Sequence, residues 1–316
     1  MTQPLKLRWV LAHIPYDLFL RSANAFCKAI NERTNGAIEV EVMGKDEWVE
    51  KYNNGVDIGN LGVMKKVASG EIHMSQTYST VLGHLNKDFF ALDLPFLFRD
   101  HDHATRVLDG EVGKQLLSGL AETSGARGLA FTYSGGYKMM AVNKDAKSIK
   151  DLEGQTLRCG VSPVSEATFR AIGADPFPKG VDGFAESVAA GECVGGENVF
   201  PRYFRSQVNT VTNTVIDTEH ALFLTSIVIS TKVWAQLTEE QREIIKECAQ
   251  VAATEERKES LIDGAAAKAR AVNEGIEVVE WSDQSIAEFK SAVEPVYQQF
   301  ADYFSDADLV AKIKNA

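Results

Sequence analysis

Short apolar runs of strand character alternate along the chain with longer stretches of helical spacing. "LKLRWVLAH" (5–13) reads as a strand and "DLFLRSANAFCKAINERTNG" (17–36) as an amphipathic helix closed by a glycine. The strand "IEVEVM" (38–43) follows, then the Gly/Asn-rich stretch "KYNNGVDIGN" (51–60), the helix "LGVMKKVASG" (61–70) and the strand "IHMSQTY" (72–78). Repeated βαβ units of this kind predict a mostly parallel sheet covered on both faces. "ALDLPFLFRDHDHA" (91–104) adds an apolar extended run, a proline and a helix start that Asp102 is placed to cap.

A second unit of βαβ character begins around "YSGGYKMMAVN" (133–143). It runs through the strand "QTLRCG" (155–160), the helix "VSEATFRAIG" (164–173), the segment "ADPFPKG" (174–180), the helix "GFAESVAAG" (183–191) and the strand "ECVGGEN" (192–198). The β-branched stretch "NTVIDTEHALFLTSIVIST" (213–231) is long enough to cross between two domains. From Thr238 a helix opens with a capping box, Thr238 and Gln241, and continues to about Asn273 before Gly275. A helix of more than thirty residues spans on the order of 50 Å. That is long for one domain and natural for one shared by two. The expected fold is therefore α/β, with two lobes joined by strands and this helix.

Composition bounds the function. The 316 residues suffice for about two domains. With 44 acidic against 33 basic residues the net charge is −11, which argues against a broad nucleic-acid or anionic-membrane surface. A negative protein that captures an anion must concentrate positive charge at one site. No apolar run approaches a membrane span, and the first residues lack a secretory leader's apolar core. A mature chain with an added Met would look the same.

Enzyme signatures are missing. The chain carries no GxSxG, HExxH or Walker A motif; "GEVGKQ" (110–115) has the wrong spacing, and glycines 55, 59 and 62 do not form GxGxxG. Cys27, Cys159, Cys193 and Cys248 fit no zinc pattern, although Cys159 and Cys193 end two predicted strands that a disulfide could join. His101, Asp102 and His103 are consecutive, which favours a helix start over a metal centre. Either of those two cysteines with His220 is the one nucleophile-and-base candidate.

What remains is charge at strand ends, where α/β folds bind ligands. Lys138, Arg158 and Asn198 occupy such positions, and for Lys138 and Asn198 the pattern equally fits a solvated turn residue. Arg158 lies among apolar neighbours, where a guanidinium requires a partner. That partner is a resident carboxylate or a ligand's carboxylate gripped by two parallel hydrogen bonds, and the pattern alone leaves both open.

Three blocks, "LDLPFLFRDHDHATRVLDGEVG", "IKDLEGQTLRCGVSPVSEATFRAIGADPFP" and "GECVGGENVF", resemble the extracytoplasmic solute-binding subunit of tripartite ATP-independent periplasmic (TRAP) transporters, the DctP-type family. Their order and spacing match from Leu5 to about Phe304. The resemblance implies a periplasmic-binding-protein-like fold with a hinge. It implies lobe I as 1–134 plus about 224–262, lobe II as 135–223 plus about 263–316, and a ligand cleft between them. The implied function is capture of a small organic acid anion (a carboxylate, hydroxy acid, uronate or sulfonate) and its delivery to membrane permease subunits. The protein would be a periplasmic monomer, stripped of its signal peptide, with no catalysis, cofactor, metal or nucleic-acid partner.

By the same resemblance Arg158 pairs with the ligand's carboxylate and Asn198 of "GGEN" reaches the ligand. Lys138 stands where an arginine is common, and matches as a second cation. His13, Tyr16, Asp17, Asn60 and Tyr78 match further ligand positions. The stretch 44–60 is longer than usual and offers Trp48 and Tyr52 as rim aromatics or surface decoration. Two other readings stay open: a sensor module for the same anions, and an enzyme on a similar frame with a cysteine nucleophile.

Overall fold

The computed structural model describes residues 4–14 and 16–316. Two compact units divide the chain: Met1–Asn86, Thr105–Tyr133 and Leu224–Glu259 form the first, and Lys87–Ala104, Ser134–Phe223 and Ser260–Ala316 the second.

The first unit is built on strands β1 (Leu5–Leu11), β2 (Ile38–Gly44), β3 (Met74–Tyr78), β4 (Ala126–Tyr137) and β10 (Leu222–Ser230), in the order β2-β1-β3-β10-β4. β1 runs parallel to both β2 and β3, while β10 is antiparallel to β3. Helices Asp17–Thr34 and Gly59–Ser69 supply the crossovers, and Trp9, Phe26, Ile30, Val63 and Val67 fill the core. The first helix ends at Thr34, two residues before the expected glycine, because Asn35 already adopts the left-handed cap conformation. Trp48, expected at a rim or on the surface, is buried in helix Lys45–Tyr52. Its neighbour Tyr52 is the exposed one, with the Arg8 guanidinium 4.3 Å from its ring centre.

Strands β5 (Met139–Val142), β6 (Thr156–Cys159), β7 (Asp175–Pro178), β8 (Gly195–Asn198), β9 (Thr214–Ile216) and β11 (Glu277–Val279) form the second sheet, ordered β11-β9-β5-β8-β6-β7. β6 is parallel to β7 and β8, and β5 is antiparallel to β8 and β9. Both sheets are thus mixed: β10 runs against β3 in the first, and β5 against β8 and β9 in the second. The segment with two prolines, Pro176 and Pro178, becomes the edge strand β7, where missing donors cost no ladder bonds. The stretch 213–231 splits into β9 and β10, and β10 passes from the second unit to the first at 223/224.

The segment 87–104, expected in the first lobe, belongs to the second unit. Its apolar run ends in Phe96, whose N–H donates to the His220 carbonyl at 2.7 Å and whose ring meets Phe289 edge-on at 5.1 Å. Tyr297 donates its hydroxyl to the Pro95 carbonyl at 2.7 Å, and Arg99 reaches the Lys314 carbonyl at 2.6 Å. The C-terminal helices therefore claim this segment. The long helix runs Glu239–Asn273, 35 residues. The Thr238 hydroxyl accepts from Gln241 N, and Gln241 Oε1 accepts from Thr238 N, at 3.2 and 2.9 Å. Residues up to Glu259 belong to the first unit and those from Ser260 to the second.

Candidate functional site

β6, β7 and β8 run parallel, so the residues at their carboxyl ends, Gly160, Lys179 and Asn198, lie along one edge of the second sheet. β5 runs the other way and starts at Met139, opposite Asn198, which adds Lys138 to the same edge. The approach of the strands is unusually close there. A Cβ on Gly196 would sit 2.1 Å from the Arg158 carbonyl, and one on Gly195 2.1 Å from that of Ala141. The "GG" of "GGEN" is what lets β8 fit between its neighbours.

Lys138 is 3 % exposed, and its ammonium lies 3.2 and 3.1 Å from the two carboxylate oxygens of Glu197, itself 2 % exposed. Glu197 Oε1 also accepts from Gly160 N at 2.5 Å, and Oε2 lies 3.2 Å from His220 Nε2. Burial alone would raise the Glu197 carboxyl, but Lys138, then His220 and Arg158, hold it far below the usual carboxylate range. Burial drives His220 down from its ordinary value against the pull of Glu197, and the rings of Phe169 and Phe289 stand 6.4 and 5.9 Å away. A neutral imidazole satisfies both its neighbours with the proton on Nε2, donated to Glu197, while Nδ1 accepts from the Thr218 hydroxyl at 2.7 Å. The expected second cation therefore has a resident counter-ion.

Arg158 is 5 % exposed. Its Nε donates to the Lys179 carbonyl at 2.7 Å and Nη1 to the Glu197 carbonyl at 2.9 Å, while Phe184 lies 5.4 Å below the guanidinium. Backbone carbonyls orient the group without cancelling its charge. Asn198, 4 % exposed, accepts from Val199 N through Oδ1 at 2.8 Å. Its Nδ2 is buried with no hydrogen-bond partner among the described residues. A buried amide donor left open costs free energy unless something arrives to accept from it.

The remaining expected residues belong to the first unit. His13 follows β1 and Tyr78 ends β3, and the parallel pairing brings their rings to 3.9 Å. His13 Nε2 lies 3.0 Å from the Thr77 hydroxyl and accepts from Tyr78 N at 3.4 Å. Tyr16 packs instead on the end of β2. A Cβ on Gly44 would meet its ring at 2.7 Å, and its hydroxyl accepts from Asp46 N at 3.3 Å. Burial, with Asp46 beside it, pushes the Tyr16 phenol up to about 12. Asp17 is exposed at the first turn of helix Asp17–Thr34, and Asn60 is half-buried at the second position of helix Gly59–Ser69.

Other chemistry drawn from the sequence does not assemble. Cys159 and Cys193 are free thiols rather than a disulfide. Burial, reinforced by Glu197, pushes Cys159 up to about 12, and burial raises Cys193 as well. The His220 partner they would need is engaged by Glu197 and Thr218. Helix His101–Asp109 is capped by Asp100, whose Oδ1 accepts from His103 N at 2.6 Å, rather than by Asp102. His103 holds the Ile313 carbonyl at 2.8 Å, and no group of three metal-ligating side chains converges among the described residues. Glu197 is the residue that sequence reasoning passed over. Its signal was Lys138, a cation flanking an apolar strand.

The family model described as bacterial extracellular solute-binding protein, family 7 (DctP) matches residues 15–303. A solute-binding protein of Chromohalobacter salexigens is 25 % identical over 94 % of this chain and 85 % of its own length. The C4-dicarboxylate-binding protein DctB of Bacillus subtilis is 26 % identical over 90 % of this chain and 78 % of its own. Among solved structures, a TRAP periplasmic solute-binding protein of Bradyrhizobium sp., in complex with α/β-D-galacturonate, is 26 % identical. It superposes with a TM-score of 0.87 over 98 % of this chain and all of the other.

Proposed function

The chain belongs to bacterial extracellular solute-binding protein family 7, and we propose that within it this protein captures a small organic acid anion through Arg158 and Asn198. The observation that carries this reading is the pairing of two groups on one sheet edge. One is a buried guanidinium held by backbone carbonyls, and the other is a buried amide donor with no partner of its own. A carboxylate supplies two parallel acceptors to the first, and a carboxylate or hydroxyl oxygen satisfies the second. Relatives described as periplasmic or extracellular support a place outside the cytoplasmic membrane, and membership in a TRAP family supports delivery to membrane permease subunits. His13 and Tyr78, ring against ring at the end of the first sheet, are proposed as ligand contacts of the kind that read shape. Tyr16, Asp17 and Asn60 follow on the family match alone.

Calorimetric titration tests the reading. Galacturonate, or another hydroxylated carboxylate from a panel, should bind with one-to-one stoichiometry, while galactose, its uncharged analogue, should not. The ligand recovered afterwards should be unchanged. Binding of galactose with equal affinity, or turnover of the acid, would refute the proposal.

A further inference from the structure

Resting on that reading, we propose that the protein selects monoanions over dianions, and that Glu197 imposes the choice by holding the charge of Lys138 inside the protein. Two cations, Lys138 and Arg158, stand on the edge that carries Asn198. Were both turned to ligand, a molecule with a carboxylate at each end would find a positive group for each. One of them, Lys138, already faces a resident carboxylate. Lys138 places its ammonium 3.2 and 3.1 Å from the two oxygens of Glu197, at a site where both side chains are almost wholly buried.

Glu197 is itself fixed from three further directions. Gly160 N and His220 Nε2 bind its carboxylate, and its own carbonyl accepts from Arg158. Moving Lys138 toward a second ligand carboxylate would strip Glu197 of its counter-ion and leave a buried negative charge beside an incoming one. The neutral donor at this edge, Asn198 Nδ2, suits a hydroxyl. The ligand class that fits is a hydroxylated monocarboxylate, such as a uronate or aldonate, rather than a dicarboxylate.

Calorimetry at neutral pH with three probes tests this: galacturonate, galactarate (the same six carbons with a carboxylate at both ends) and succinate. Galacturonate should bind at least about tenfold more tightly than either diacid, as expected for an unmatched desolvated charge. A diacid that binds equally or more tightly overturns the inference and leaves the carboxylate reading standing. If no carboxylate binds, that reading fails first and this one with it. Glu197→Gln keeps an acceptor for Gly160 N and releases Lys138. The preference should then narrow by about tenfold, and an unchanged preference in a folded variant overturns the role of Glu197. A double variant, Lys138→Gln with Glu197→Gln, removes both charges and keeps their sum. It should retain the preference for galacturonate, whereas loss of galacturonate binding in the folded double variant would place Lys138 on the ligand and contradict the proposal.

Discussion

The two sheets end in different chemistry. At the carboxyl ends of β1 and β3 the first unit offers His13 tilted against Tyr78, an aromatic pair joined by a hydrogen bond from Tyr78 N to His13 Nε2. At the corresponding ends of β6 and β8 the second unit offers Arg158, Asn198 and the Lys138–Glu197–His220 cluster, all nearly inaccessible to solvent. Aromatic faces read shape and ring hydrogens, and they tolerate a range of solutes. Buried charge is unforgiving, since each ion must be matched by a partner or by the ligand itself. The contrast supports the proposal that anion recognition rests on the edge of the second sheet.

Breaking the charged cluster should have the largest effect. Glu197→Ala leaves the Lys138 ammonium buried without its counter-ion, and urea unfolding should show a loss of about 3–5 kcal/mol. An equivalent loss from Tyr78→Ala, which removes the ring that lies against His13, would erase the contrast. The cluster also sets a direction with pH. His220 is lowered from 6.5 and Glu197 from 4.5, so below those values the unfolded chain binds more protons than the native one. Their stabilisation is therefore complete above about pH 6.5 and is lost as pH falls, first through His220 and then, below about 4.5, through Glu197. The unfolding free energy measured against pH should decline in that order, and Glu197→Ala should flatten the more acidic part.

Asn198→Ala should weaken galacturonate by about tenfold, the worth of one buried hydrogen bond to the ligand. Because the variant also deletes an open buried donor, its stability should stay within about 1 kcal/mol of wild type. A large loss of stability with unchanged affinity would make Asn198 a structural residue. The smallest effect belongs to the first unit. Tyr78→Phe keeps the ring against His13, and calorimetry should find galacturonate affinity within about threefold of wild type.

Much of this architecture was legible in the sequence because local signals agreed with tertiary ones. The capping box at Thr238 and Gln241 marked the start of the long helix, and the prolines of "ADPFP" are consistent with the sheet edge on which that segment lies. Strand-end position singled out Arg158, Lys138 and Asn198 before any contact was visible. The rest depended on pairings distant in sequence. Residues 87–104 read as a continuation of the first lobe, yet their partners, among them Ile313 and Lys314, lie more than two hundred residues away. Trp48 fell in a stretch rich in polar residues, and only tertiary packing shows it to be core. Lys138 was legible as a strand-end cation but not as a buried one, because Glu197 lies 59 residues further on and only the β5–β8 register brings the two together.

The most direct test of the assignment is calorimetric titration of galacturonate into the wild-type protein and Arg158→Ala, with thermal unfolding as the check that the variant is folded. Loss of one partner from a desolvated, charged hydrogen-bonded pair should weaken binding by more than about a hundredfold, or roughly 3 kcal/mol. A folded Arg158→Ala protein that binds galacturonate within a few-fold of wild type would contradict the account, because the guanidinium would then serve the protein's own groups, the backbone carbonyls of Lys179 and Glu197 among them.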